Sequence, residues 1–188
     1  MILARRPILA GLALLAACRS PDPGLYTILP VPGTPRRGGP RAVTVREVSL
    51  AGYLDRQQIV KSAAEMRLDV SGNDWWGEPL GPMVTRVLVE NLTQRLPNAA
   101  VVASTGAISS PAEATVEVNL QRLGLAAPGQ LGLGAQAAVR FREGGRRDAK
   151  RTLSLQAPVA GADTASFVAA ASQVVGQLSD QVAALLAG

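Results

Sequence analysis

The sequence predicts an α/β fold from three observations: two long amphipathic helical patterns, about seven short strand patterns, and the interleaving of the two kinds along the chain. The first helical pattern lies in residues 73–96. After Pro79, apolar residues recur at Leu80, Met83, Val84, Val87, Leu88, Leu92 and Leu96, the spacing of one helix face. Asn73 or Asp74 is expected to cap it, because a short side-chain oxygen accepts from the orphan N–H groups of a first turn. Pro97 ends it by removing a donor and disfavouring α geometry at Leu96. The second pattern, residues 164–186, repeats Phe167, Val168, Ala171, Val174, Val175, Leu178, Val182, Leu185 and Leu186 with amphipathic spacing, and has Asp163 or Thr164 as cap.

The strand patterns are shorter. Residues 25–29 (Leu-Tyr-Thr-Ile-Leu) have the composition of an edge strand. Residues 42–50 read as a strand whose apolar phase shifts near Arg46 and Glu47, the mark of a bulge. Residues 59–62 and 66–70 read as two strands around a tight turn, and 99–103 as a short buried strand. Residues 114–120 alternate cleanly, Ala114, Val116, Val118 and Leu120 inward and Thr115, Glu117 and Asn119 outward. Residues 126–134 read as a glycine-rich connection. They lack the Lys-Ser/Thr of a P-loop and the dinucleotide fingerprint, so no phosphate site is expected there. Residues 135–141 and 152–157 read as a hairpin around residues 143–146. Its basic group (Arg146, Arg147, Lys150, Arg151) reads as solvated turn charge.

Composition excludes several functions. The 188-residue chain is long enough for one domain with appendages. It has no histidine, so His-containing triads and His metal sites are ruled out, and one cysteine, so neither an internal disulfide nor a thiolate zinc site can form. Carboxylates such as Asp55, Asp69, Asp74 and Glu78 have no evident catalytic companion. An enzyme is not expected, nor a metal. Removing Arg5 and Arg6 with a leader leaves 17 basic residues against 14 acidic, net +3. That balance is too mild for nucleic-acid binding.

The N-terminus carries a leader. Arg5 and Arg6 precede an apolar run over residues 8–17, too short to span a bilayer but of secretory length. It ends in Leu15-Ala16-Ala17-Cys18, which resembles the lipobox of bacterial lipoproteins. The resemblance implies cleavage before Cys18 and a covalent diacylglycerol and N-acyl chain on that residue, with no other cofactor. More than one acyl chain makes anchoring stable. Arg19, where an Asp would resemble an inner-membrane retention signal, implies sorting to the outer membrane. Residues 1–17 are therefore read as signal peptide and 18–41, rich in Pro and Gly, as a lipidated tether that only supplies reach. Residues 42–188 are read as a single domain.

A lipobox, the Tyr26-Thr27-Ile28-Leu29 strand, the segment Tyr53-Leu54-Asp55-Arg56-Gln57-Gln58-Ile59-Val60, and Trp76-Gly77-Glu78-Pro79-Leu80 at a helix start occur in that order, before a closing Ala-rich helix. Together they resemble the ABC-type transport auxiliary lipoprotein family, typified by the lipoprotein of the paraquat-inducible pathway. The resemblance implies a mixed sheet flanked by the two helices, with a three-layer α/β/α sandwich favoured. It also implies a non-enzymatic subunit of a lipid transport system in the Gram-negative envelope, held at the periplasmic face of the outer membrane. The implied partner is a mammalian-cell-entry (MCE) domain protein. Outer-membrane lipid is met through the anchor, no nucleic acid is expected, and a homo-oligomer is left open. Where the family pattern has one Trp, this chain has Trp75 and Trp76; Trp76 takes the family position with Glu78, Pro79 and Leu80 as the structural motif, and Trp75 is expected to meet the partner. A carrier of lipid or another small hydrophobe, with its own apolar pocket, is the alternative to a docking subunit.

Since the thiol is the sole acylation point, Cys18→Ala is expected to leave the protein as uncleaved precursor or free in the periplasm. Labelled palmitate and membrane fractionation check this, and undiminished labelling of the variant contradicts it.

Overall fold

Both helices form where the periodicity places them. The computed structural model describes residues 22–188 apart from 65, 109–110 and 143–145. In it, helix α1 runs Leu80–Arg95 and helix α2 Thr164–Ala187. Asp163 caps α2 by accepting from the Ser166 N–H at 2.9 Å, a bond that holds its carboxyl below the usual carboxylate range. Pro79 occupies the N-cap of α1 without a side-chain cap. Asn73 and Asp74 do not cap it, because both belong to a strand, and the tryptophan pair lies in that strand as well. No helix among the described residues is long and apolar enough to cross a membrane.

The strands are β1 Gly24–Tyr26, β2 Ala42–Val45, β3 Ser49–Leu50, β4 Gln58–Ala64, β5 Arg67–Trp76, β6 Ala100–Ala103, β7 Ala114–Ala127, β8 Gln130–Phe141 and β9 Ala149–Pro158. The larger sheet has the order β6-β2-β7-β8-β9, with β3 also beside β7. It is mixed: β2, β3 and β6 pair in parallel, and β7, β8 and β9 form an antiparallel meander. A smaller sheet has the order β1-β5-β4. The interruption expected near Arg46 and Glu47 separates β2 from β3. It exists because α1 seats there: the Val48 N–H donates to the Thr85 hydroxyl at 2.9 Å.

Residues 126–134 are not a connection. β7 and β8 pair through them from Leu125↔Leu131 to Ala127↔Gln130, and the turn is confined to Pro128 and Gly129, where Gly129 has φ 69°. A positive φ suits glycine, and the other glycines are tolerated because a strand pairs on each side. The short strand β6 is half-exposed at a sheet edge rather than buried. Of the hairpin expected around residues 143–146, residues 143–145 lie outside the described residues.

Val116, Val118, Leu120, Leu133, Ala135, Val139, Leu153 and Ala157 share one face of the larger sheet and are buried against Met83, Val87, Leu88, Val174, Leu178 and Val182. The opposite face carries Thr115, Glu117, Asn119, Gln136, Arg140, Lys150 and Thr152. The α/β class with mixed sheets and two helices holds, but the expected three layers become two. Both helices pack side by side on the apolar face, as a sheet with one polar face requires. They are parallel, since Asn91 meets Ser179 and Arg95 meets Asp180 further along both. Parallel helices place like dipole ends together, and each C-terminus carries a compensating cation. Arg95 lies in the last turn of α1, and Arg146 donates to the Leu186 carbonyl of α2 at 2.9 Å. Arg151 likewise donates to Gln181 of α2, so these two members of the basic group bond to the helix while remaining exposed to solvent, as expected of turn charge.

The segment expected to supply reach alone is packed into the fold. Residues 27–39 run as a strap down the groove between the two helices. Ile28 is fully buried. The Leu29 N–H donates to Ser172 Oγ (3.1 Å) and the Val31 N–H to Asn91 Oδ1 (2.9 Å), while the Arg36 N–H reaches the Arg95 carbonyl (2.7 Å). Arg95, 1% exposed, donates in return to the Val31 and Gly176 carbonyls and pairs with Asp180 at 2.6 Å. Its guanidinium fills the space beside Gly33, where a Cβ would stand 2.1 Å from Arg95 Cζ. Proline and glycine suit this extended path because the helices supply side-chain partners in place of a backbone ladder.

Gly33→Ala and Arg95→Met are each expected to lower unfolding free energy by about 2–4 kcal/mol, through displacement of a buried cation or loss of its bonds. Pro35→Ser, at an exposed strap position, should change it by less than about 0.5 kcal/mol. Chemical denaturation of the three variants checks the contrast.

Candidate functional site

The smaller sheet sits at the end of the molecule where both helices begin, and it gathers the residues singled out in the sequence. In parallel register, Leu25 stands beside Trp75 and Tyr26 beside Trp76. Directly paired residues share a face, so Leu25 and Trp75 point one way and Tyr26 and Trp76 the other. Trp76 is 6% exposed and joins the core with Leu80, the first residue of α1, at 1%. Its backbone N–H donates to the Gln57 carbonyl, and the backbone N–H of Gly77 donates to the Tyr26 carbonyl. These bonds fix the passage from β5 into the helix. Glu78 stays at the surface, gripped by Arg86 at 2.6 Å, which also reaches Glu90 and the strap's Thr27. Pro79 completes the turn with φ −54° and ψ 135°.

Trp75 is half-buried, and its indole N–H is covered without an acceptor among the described residues. Leu25 beside it is 67% exposed. The pair makes an apolar strip on the outward face of the small sheet, flanked by Gln58. Cys18 lies outside the described residues.

Asp74 has a role that the helix-cap reading conceals. Between Val60↔Val70 and Gln58↔Trp75, β5 holds more residues than β4, and the excess forms an irregularity over residues 71–74. There the Ser71 hydroxyl donates to Asp74 at 2.7 Å, and Thr164, in the first turn of α2, donates to the same carboxylate oxygen. Lys61 lies 3.8 Å away. Ser71 first, then Thr164, with Lys61 contributing less, hold this carboxyl below the usual range although partial burial opposes them. The clip ties the small sheet to α2 across 90 residues. Its signal in the sequence is the short-polar Ser71-x-x-Asp74 pattern. Leu25 gave a weaker signal: only pairing with β5 shows that it extends the tryptophan strip.

Among the described residues several depressions mark the rest of the surface, open to solvent and edged by charged groups. One of about 340 Å³ lies on the polar sheet face over Ala138, edged by Glu117, Gln136 and Lys150. Another, of about 690 Å³, lies at the opposite end of the molecule from the small sheet, among Glu113, Phe141, Arg142 and Arg146.

A mixed sheet carrying two parallel helices on one face is a fold shared with solved proteins. One is described only as an uncharacterized protein, 18% identical, with 87% of this chain matching 98% of that one at a TM-score of 0.72. Another, from Xanthomonas campestris, is 20% identical and covers 84% of this chain and 91% of its own at a TM-score of 0.66. No curated protein matches the sequence. The family model for the ABC-type transport auxiliary lipoprotein component matches residues 26–183, and the chain belongs to that family. The match begins within β1, so it takes in the strap as part of the domain. Membership makes the protein an envelope-associated auxiliary component of an ABC-type transport system.

Asp74→Asn is expected to destabilise the fold by roughly 1–2 kcal/mol at pH 7, because the ionised acceptor of two hydroxyls is lost. A carboxyl depressed in the folded state contributes stability above its unfolded pKa of about 3.9 and loses it as pH falls through the folded value. The gap between native protein and variant should therefore close below about pH 4. Urea denaturation at pH 7 and pH 3 measures it.

Proposed function

We propose that the protein is a docking subunit. It is acylated on Cys18 and held at the periplasmic face of the outer membrane, and it receives there the MCE-domain component of an ABC-type lipid transport system. The observation that carries this reading is the Leu25–Trp75 strip, apolar side chains in register and open to a partner at the end of the domain next to the anchor. Exposed aromatics with apolar neighbours are common interface anchors. Trp75 is the central contact, and Trp76, Glu78, Pro79 and Leu80 hold the strand-to-helix turn that presents it.

Two further features support docking over carriage. A carrier needs an enclosed apolar cavity of several hundred Å³. The surface depressions, including one over Phe141 and Leu185, are open and edged by charged groups, while the space between helices and sheet is filled by side chains such as Leu88, Leu120, Leu133 and Leu178, each fully buried.

Leu25→Asp and Trp75→Ala are each expected to weaken capture of the purified MCE-domain partner by about tenfold or more, equivalent to about 1.4 kcal/mol. Leu25→Asp is the cleaner variant, since its side chain is largely solvent-exposed and the fold should be unchanged. Native capture by a folded Leu25→Asp protein contradicts the assigned surface. Lipid co-purifying in stoichiometric amount, read by mass spectrometry, turns the assignment to a carrier.

A further inference from the structure

We infer that the tip of the β4–β5 hairpin, through Met66 and Leu68, is a second membrane contact that works beside the acyl anchor; the inference rests on the reading of Cys18 as acylated. Met66 is fully exposed, and its backbone sits at φ 59°, a left-handed conformation that a turn usually gives to glycine or asparagine. A large apolar side chain there makes no folded-state contact to offset the strain. Leu68, at the start of β5, is 37% exposed. Met66 is not explained by the stability of the domain, and Leu68 adds a partly exposed apolar surface beside it.

Chain direction supplies the occupant. β1 runs parallel to β5, and the Asn73 amide donates to the Asp22 carbonyl, so the polypeptide arrives at β1 from the side of the hairpin tip. From the Leu25–Trp75 pair back to Cys18 there are seven residues, which span at most about 25 Å. From Gln58, level with Trp75, to Ala64, level with Arg67, β4 carries the hairpin about 20 Å in that same direction. The strap is bonded to the helices at Leu29, Val31 and Arg36, so the later part of the supposed tether supplies no free length to lift the body away. A bilayer that holds the acyl chains is thus within reach of the tip, and Met66 enters the headgroup and upper acyl region as interfacial apolar residues do. In the sequence Glu65, Arg67 and Asp69 flank it and sum to one net negative charge, so apolar burial and not attraction to anionic lipid drives the contact. The contact fixes the domain's attitude and turns the end bearing Phe141, Arg142 and Arg146 away from the lipid.

The test uses the full lipidated chain reconstituted in phosphatidylethanolamine–phosphatidylglycerol vesicles. Once Cys18 is acylated, Met66→Cys offers a single thiol for an environment-sensitive fluorophore, and Arg147→Cys offers the same at the far end. Lipid-borne doxyl groups should quench position 66 roughly twofold or more beyond position 147, consistent with insertion of several ångströms. Raising the salt concentration should not diminish that difference, since the tip carries no net positive charge for salt to screen from anionic lipid. Leu68→Asp in the position-66 protein should reduce it, with circular dichroism reporting an intact fold. Mass spectrometry of the purified protein reads acylation separately. An acylated protein whose position 66 is quenched no more than position 147 overturns the inference alone. An unmodified Cys18 overturns the anchor reading and the inference with it.

Discussion

The guanidinium of Arg95 joins three parts of the chain that are far apart in sequence. It grows from the last turn of α1, pairs with Asp180 on α2 and donates to the carbonyls of Val31 and Gly176, all while 1% exposed. A cation so buried is tolerated only when its donors are matched, and removing any partner leaves a charge or a carbonyl without solvent. The parallel pairing of the helices, the course of the strap and the small residue at Gly33 all follow from accommodating it. Asn91 extends the same logic one turn earlier, accepting from Val31 and donating to Ser179.

The strap governs how the proposed anchor at Cys18 would act on the domain. A free segment of Pro and Gly would let the body diffuse some distance from the bilayer and present any face. With residues from Asp22 onward fixed to the small sheet and the helix groove, only the few residues after Cys18 separate a lipid attachment from the folded unit. The domain thereby acquires two ends. One carries the small sheet, the tryptophan strip and the hairpin tip; the other carries both helix C-termini and their cations. For an auxiliary component of a transport system, a defined attitude at the membrane matters, since a partner must find one surface in one orientation.

The Asp74 clip makes the two sheets one unit. The small sheet buries Ile59, Val60 and Trp76, with Tyr26 and Val70 packed beside them, and this apolar face must be covered by the rest of the domain. The bonds from Ser71 and Thr164 lock β5 to α2, and the passage through Gly77 to Pro79 locks it to α1. Trp75 is therefore presented on a rigid strand between two helix N-termini rather than on a loop.

The sequence alone determined what depends on near neighbours. Both helices follow from a 3.6-residue period, the Asp163 cap from a bond three residues long, and the alternation of 114–120 from a period of two. The motif around Trp76 placed the chain in its family, because short motifs keep their residues in order. Tertiary structure decided everything whose partners are remote. The Pro/Gly stretch became a strap because Asn91 and Ser172, 60 and 143 residues away from their partners in it, satisfy its backbone. Asn73 and Asp74 became strand residues because β1 and β4 pair around them, and the glycine-rich run became a hairpin because β8 pairs with β7 through it. Whether the helices cover one sheet face or two was settled by which side of each strand is polar across all neighbours at once. Local propensity fixes what a segment can be; pairing and burial, which act between segments, fix where its polar groups are satisfied.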